Sequence, residues 1–375
     1  MATTVTTTWG LTLKRLSARL RVLIALATIA SLGLTGCTTA GYYWQSVSGH
    51  LSLMGAARPV SDWLADAQTP EPLKARLALS QRIRSFAVSE LKLPDNPSYQ
   101  RYADLRRSAV VWNVVAAPEL SLTLKTWCFP VAGCVGYRGY FSEQDARAEA
   151  AQLAAQGLEV SVYGVPAYST LGWMNWAGGD PLLSTFINYP EGELARLVFH
   201  ELAHQVVYAA GDTMFNESFA TAVERLGSQR WLAQPSKDTA SDAARAQYAA
   251  FDERRQAFRV LALATRRELA AIYESKQGLP QHAQGQLAMK AIAMQKFRDN
   301  YAQLKASWGG FAGYDPWVAR ANNAAFGAQA AYDALVPGFE ALFAQEGGDW
   351  QRFYDAVKQL AKLPPDQRHQ ALKIN

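Results

Sequence analysis

Two histidines one helical turn apart, with a glutamate beside the first, constrain this 375-residue chain more than any other feature: His200-Glu201-Leu202-Ala203-His204. On an α-helix the four-residue step puts both imidazoles on one face, where they can bind one ion. Thirteen positions on, Asn216-Glu217-Ser218-Phe219-Ala220 supplies a second carboxylate. Glu193, Leu194, Leu197, Val198, Leu202 and Val206 recur at helical intervals between Pro190 and Gly211, so one face packs while the other faces the ion. Gly211-Asp212-Thr213 reads as a turn, with Gly at the stop of one helix and Asp212 or Thr213 as N-cap of the next. Two antiparallel helices follow, and at about 1.5 Å per residue Glu217 returns almost level with His204. His200, His204 and Glu217 are thus the candidate metal ligands, with Zn2+ the ion that suits two imidazoles and a carboxylate. Glu201, next to them and not a ligand, is the candidate base toward a water.

The same spacing also fits a histidine pair merely hydrogen-bonded on a surface, but the second carboxylate segment and the scarcity of histidine, five in all, favour a site. His50, His282 and His369 lie in helical or tail contexts away from any second ligand pattern. Glu224, two turns past Glu217, can orient a ligand histidine or meet a substrate amine, and Asp180 is another acid open to the second role. Asn216 adjoins the third ligand and is placed in the outer layer of the site.

The segment from Phe199 through Glu224 resembles a family of bacterial lipoproteins described as predicted zinc aminopeptidases, itself similar to a branch of the gluzincins. The resemblance extends over Tyr43–Leu64, Tyr168–Trp173, Pro181–Thr185 and Asn322–Tyr354. It implies zinc on His200, His204 and Glu217, with Glu201 as base. The spacer to Glu217 is shorter than in thermolysin-like enzymes, so the helix hairpin is expected to be tighter. Gluzincin aminopeptidases often carry Gly-x-Met-Glu-Asn to hold the substrate amine, whereas this chain has Gly172-Trp173-Met174-Asn175, without the glutamate. The alternative is a loop packed by Trp173 and Trp176. An oxyanion donor is also needed. Among 16 tyrosines, Tyr332 is the candidate from the family-like segment, with core packing as the competing reading. Asn322 and Asn323 can cap a helix or touch substrate.

At the N-terminus Lys14, Arg15, Arg19 and Arg21 precede an apolar run from Val22 to Leu34 and then Thr35-Gly36-Cys37. This resembles a lipoprotein signal over residues 1–36, with Cys37 as the lipidated residue. The run is short for a membrane span, and acyl chains on Cys37 would give lasting attachment. Thr38 after the lipid site favours, by resemblance to Gram-negative lipoproteins, the periplasmic face of the outer membrane. Residues 1–36 hold four basic and no acidic residues, so their removal takes the net charge from +5 to +1. No basic cluster interleaved with aromatics remains, and no nucleic-acid partner is expected. In an oxidising periplasm Cys128 and Cys134 are expected to pair. The composition leaves the oligomeric state open.

The expected fold is α+β and mostly helical. An N-terminal helical segment (37–106) leads to a small sheet lobe (107–189) carrying the Cys128/Cys134 loop. The zinc helix hairpin (190–235) and a helical C-terminal lobe (236–375) follow, a gluzincin-like plan. Strands are expected at Ala109–Val115, Leu120–Thr126, Leu158–Gly164 and Leu183–Asn188, and helices at Leu73–Leu91, Glu143–Gln156, Ala243–Glu274 and Gln286–Ser307. Leu183–Asn188 is either the edge strand to which a peptide adds or an interior strand. The charges from Arg254 to Glu268 read as solvated faces, and Trp350, Phe353 and Tyr354 as core or cleft wall. Three functions fit: a zinc exopeptidase, a zinc endopeptidase or oligopeptidase, and a non-enzymatic lipoprotein with a structural metal. A structural zinc usually takes four protein ligands and no adjacent base, which favours an enzyme.

Overall fold

The computed structural model describes residues 41–129, 133–167, 169–234, 239–274, 280–329 and 335–373. Cys37 and Tyr332 lie outside the described residues. The described residues from 53 to 373 belong to one compact unit, and 41–52 fall outside it. The chain is α+β and mostly helical.

A helix over 41–56 (α1) opens the described chain. Then come Arg58–Pro59 (β1), Val60–Ala65 (α2), Glu71–Ser89 (α3), Arg101–Ala103 (β2), Val111–Pro118 (β3), Trp127–Phe129 (β4), Gly133–Val135 (β5) and Arg138–Tyr140 (β6). Glu143–Ala155 (α4), Leu158–Val165 (β7) and Leu182–Leu183 (β8) complete the strand region. Helices follow at Glu191–Ala203 (α5), Thr213–Leu232 (α6), Thr239–Glu274 (α7), Pro280–Ser307 (α8), Asp315–Ala319 (α9) and Asn323–Gln329 (α10). Val336–Gln345 (α11), Trp350–Ala361 (α12) and Pro365–Ala371 (α13) close the chain.

Three small sheets result, ordered β1-β2-β8, β6-β3-β7 and β4-β5. In the second, β3 pairs antiparallel with β6 and with β7, where Val111 faces Val165 and Val115 faces Ser161. β3 is central and almost wholly buried, as its run of Val and Ala requires. Cys128 and Cys134 face each other across β4 and β5 and form a disulfide.

Of the strands expected from the sequence, one is absent among the described residues and one is cut short. Leu120–Thr126 forms a turn and a connection, tied to β3 by bonds from the Ser121 amide to the Pro118 carbonyl (3.2 Å) and from the Lys125 amide to the Ala116 carbonyl (2.8 Å). Leu122 instead packs against the cluster of α7 and α8, and Leu124 against Val115 and Ala117 of β3 with Ala324 of α10. Leu183–Asn188 is strand only at β8, and beyond it the Phe186 and Ile187 amides turn back to the Leu183 carbonyl. Leu182, Leu183, Phe186 and Ile187 are 0 to 1% exposed. Their burial in pairs four apart is satisfied by a turn, so a short apolar run did not specify a strand.

The main core is built on α5 and α6. Leu194, Val198, Phe199 and Leu202 make one buried stripe of α5, and Phe215, Phe219, Ala220 and Val223 the facing stripe of α6. The helices approach closely where Gly227 lies: a Cβ there would come within 3.0 Å of the Phe199 ring. Phe219 packs its ring 5.7 Å from Phe339 and 5.9 Å from Phe353, so α11 and α12 back the hairpin. Trp350, Phe353 and Tyr354 are core, not cleft wall. A second cluster joins α7 and α8 through Phe258, Ala262, Leu269, Met294 and Phe297, capped by Val318 and Phe326.

Candidate metal centre

α5 starts behind Pro190 and ends with His204 as its C-cap, earlier than the apolar pattern to Val206 suggested. The chain turns at Gly211, whose φ of 78° favours glycine. Asp212 then caps α6 by accepting from the Phe215 amide (3.1 Å). That cap is itself held from the C-terminus, because its carboxylate pairs with Arg368 (3.1 Å) and His369 (2.9 Å). His369, without a role in the sequence reading, is thus a structural partner. Asn216 brackets the return segment: its Oδ1 accepts from the Ala209 amide (2.8 Å) and its Nδ2 donates to the Ala209 carbonyl (2.9 Å). It shapes the loop between the two helices and does not touch a ligand side chain.

The hairpin brings His200, His204 and Glu217 together. The two Nε2 atoms are 3.1 Å apart, and the Glu217 Oε2 lies 3.3 Å from His200 Nε2 and 3.7 Å from His204 Nε2. Ligands at tetrahedral angles around zinc, at the usual bond lengths near 2.0 to 2.2 Å, stand about 3.4 Å apart. The three donors therefore fit such an ion, and they are the one such group of His, Cys, Asp and Glu among the described residues. Behind them, Glu224 accepts from His200 Nδ1 (2.9 Å) and from Arg196 (2.5 and 2.8 Å). Glu224 is 3% exposed, with its carboxylate occupied by His200 and Arg196. Arg196, one turn before His200, was not anticipated. Its position four residues ahead of the first histidine was the only signal available.

Burial disfavours charge on His200, but hydrogen bonds to Glu217 and Glu224 outweigh it and bring the imidazole up to about 10. His204, dominated by burial, falls to about 4 and is neutral at pH 7. An ion on His200 Nε2 needs the lone pair there, so the free site must give up a proton from that nitrogen. Zinc binding at pH 7 is expected to release about one proton per ion. Calorimetric titration in two buffers of different ionisation enthalpy measures this; zero release would show His200 already neutral. Burial, helped by repulsion from Glu217, outweighs attraction to His200 and lifts the Glu201 carboxyl to about 7.

A cleft of about 490 Å³ opens beside His200 and Glu201. Its walls come from Ser161, Val162 and Tyr163 of β7, from α5 and α6, and from Phe258, Tyr314 and Trp317 of the helical side. Phe258 stacks on Tyr314 (4.1 Å between centroids). Arg255 and Arg259, read as solvated, line this cleft, and Arg255 pairs with Glu193 (2.6 Å) and Asp252 (2.9 Å). Asp180 does not reach it: the carboxylate is 1% exposed and accepts from the Thr170 amide (3.1 Å), with burial raising it to about 6. Gly172–Asn175 forms a turn running into a short 3-10 helix at Asn175–Ala177. Asn175 accepts from the Ser98 hydroxyl (3.1 Å), which also receives a bond from Gln205 (3.2 Å) just after His204. Trp173 and Trp176 are 66% and 83% exposed, so they do not pack that loop. Asn322 caps α10 through the Ala325 amide (3.0 Å), and Asn323 binds the Pro118 and Glu119 carbonyls.

β7 is an edge strand that lines the cleft, whereas Leu183–Asn188 reaches the edge of another sheet only through β8. On β3, the Ala116 carbonyl is turned to Lys125, away from β7. Odd-numbered β3 residues therefore bond β7, and Val160, Val162 and Gly164 point their backbone groups outward. Among the described residues no strand pairs with that edge.

A profile of the family described as "Putative aminopeptidase" matches residues 41–372. The chain belongs to that family. The match spans the metal hairpin, the β7 sheet and every cleft wall, so the family's description applies to the unit that holds the site. Comparison with curated proteins and with solved structures finds no match.

Proposed function

We propose that the chain is a zinc-dependent peptidase that trims short peptides, acting as an aminopeptidase, on the gluzincin plan. The observation that carries this reading is the set of three donors at ligand spacing, with His200 of that set and the adjacent Glu201 lining one cleft. His200, His204 and Glu217 would hold the ion, which when bound polarises the scissile carbonyl and acidifies a water. Glu201 takes the proton of the attacking water and returns it to the leaving amine. Glu224 keeps the Nδ1 proton on His200 and fixes the ring, with Arg196 holding Glu224 in turn. Tyr163, a cleft-wall tyrosine whose side chain is hydrogen-bonded with Asn113, would turn to donate to the oxyanion. Tyr314, the other cleft tyrosine, stacks on Phe258 instead. The free edge of β7 would pair with an extended substrate.

The chain would work in the cell envelope, carried by lipid on Cys37 at the periplasmic face of the outer membrane. Among the described residues no helix is long and apolar enough to cross a membrane. Unblocked tripeptides are expected to be hydrolysed, with loss of activity on chelation and recovery on adding zinc. Acetylating the peptide N-terminus is expected to lower the rate at least about tenfold. Equal cleavage of blocked and unblocked peptides would remove the aminopeptidase assignment, and activity untouched by a chelator would remove the zinc.

A further inference from the structure

We propose that Arg320 reads the C-terminal carboxylate of a short peptide lying along the free edge of β7. This rests on the peptidase reading above and adds the substrate class to it. Arg320 lines the cleft that contains His200 and Glu201. Its polar partners among the described residues are two backbone carbonyls, that of Pro316 on Nε (2.9 Å) and that of Val162 on Nη1 (3.4 Å). The second bond is long and easily exchanged for a charge-assisted one to a carboxylate, which a guanidinium can hold with two parallel bonds. Two other arginines of the same cleft, Arg196 and Arg255, are already held by Glu193, Glu224 and Asp252.

Charge decides which end of the substrate arrives there, because a guanidinium attracts a carboxylate and repels an amine, and this choice sets the peptide antiparallel to β7. Val162 is one of the residues whose backbone faces out of the sheet, and a peptide antiparallel to β7 runs its C-terminus toward the Leu158 end of that strand. Tyr163, which lines the cleft together with His200 and Glu201, marks the level of that pair along β7. Arg320 meets the edge one residue farther toward Leu158. The carboxylate is therefore met within a residue or two of the scissile bond. Extension past that point is blocked, because Asn322 occupies the outward carbonyl of Val160 (2.9 Å). An amine at the same end would face a guanidinium. Among the described residues the cleft lining has Glu201 and Glu224 as its acids, one adjoining the candidate ligands and the other bonded to His200 and Arg196. The aromatic wall of Phe258, Tyr314 and Trp317 fits a bulky apolar side chain next to the carboxylate. The substrate class that follows is di- and tripeptides ending in a free carboxylate, preferably on an aromatic residue.

The zinc-loaded protein is tested on the tripeptide Ala-Ala-Phe as free acid and as amide, with Arg320→Ala and Arg320→Lys beside the wild type. The expected result is a kcat/KM ratio of acid to amide of at least about tenfold in the wild type, carried by KM. In Arg320→Ala that ratio falls to about one, and Arg320→Lys recovers part of it. Binding of both peptides to the Glu201→Gln variant, followed by calorimetry, gives a second readout that needs no turnover. Tighter binding of the acid, lost with Arg320→Ala in the same background, supports the role even if no hydrolysis occurs and the peptidase reading fails. Acid and amide handled alike in both assays, or no binding of either peptide, would overturn it while any hydrolysis seen leaves the peptidase reading in place.

Discussion

Replacing Glu201 by glutamine is expected to lower peptide hydrolysis about a thousandfold while the protein still binds zinc at the wild-type stoichiometry. The amide keeps the shape of the side chain but cannot take a proton, and Glu201 stands beside the ligand set without belonging to it. Its buried setting places the carboxyl at about 7, the range in which a base can both accept and return a proton. The wild-type rate should fall on the acid side, with a midpoint at or below pH 7, because a bound cation lowers the Glu201 value further. Rates with Ala-Ala-Phe from pH 5 to 9, together with metal analysis of both proteins, check this. A variant that keeps more than a tenth of the activity would remove Glu201 from the reaction.

Glu224→Ala is expected to destabilise the metal-free protein by about 3 kcal/mol and to weaken zinc binding by about ten- to a hundredfold. The substitution removes the acceptor of His200 Nδ1 and one of the carboxylates of Arg196, leaving a buried guanidinium only partly compensated. Burial tends to raise the Glu224 carboxyl, but the charge of Arg196 and the contacts with His200 outweigh it and hold it at about 2. Because that value lies below the ordinary one, the stabilisation is fully present above pH 4.5 and is lost as pH falls toward 2. Urea unfolding at pH 7, 4 and 3 should show the gap between wild type and variant narrowing with acid. A gap that stays constant would show that the carboxylate is not held by charge, and unaltered zinc affinity would show that the His200 contact does not position the ligand.

How much of this was legible depends on whether the determinant was local. The step from His200 to His204 is fixed by helical pitch, and Gly211 and Asp212 announce the turn and the cap through their own backbone preferences. The long helices near 71–89, 239–274 and 280–307 were likewise readable, because their periodic patterns extend over many turns. The short apolar runs were not. Leu183–Asn188 and Leu120–Thr126 carry strand-like composition, yet burial in turns and against distant helices satisfies them as well as a ladder would. Arg255 and Arg259 looked solvated for a related reason, since a charged face on an isolated helix gives no sign of the cleft into which it is folded.

The sequence by itself determined that His200, Glu201, His204 and Glu217 come together, because those four side chains are placed by one helix, one turn and the first coils of the next. Only the tertiary structure decided what surrounds them. Arg196 meets Glu224 across two packed helices, β7 becomes the open edge because β3 lies on its other side, and Arg320 reaches that edge from the far helical side. These contacts join residues 28 and 158 positions apart, separations over which no local preference of the chain carries information.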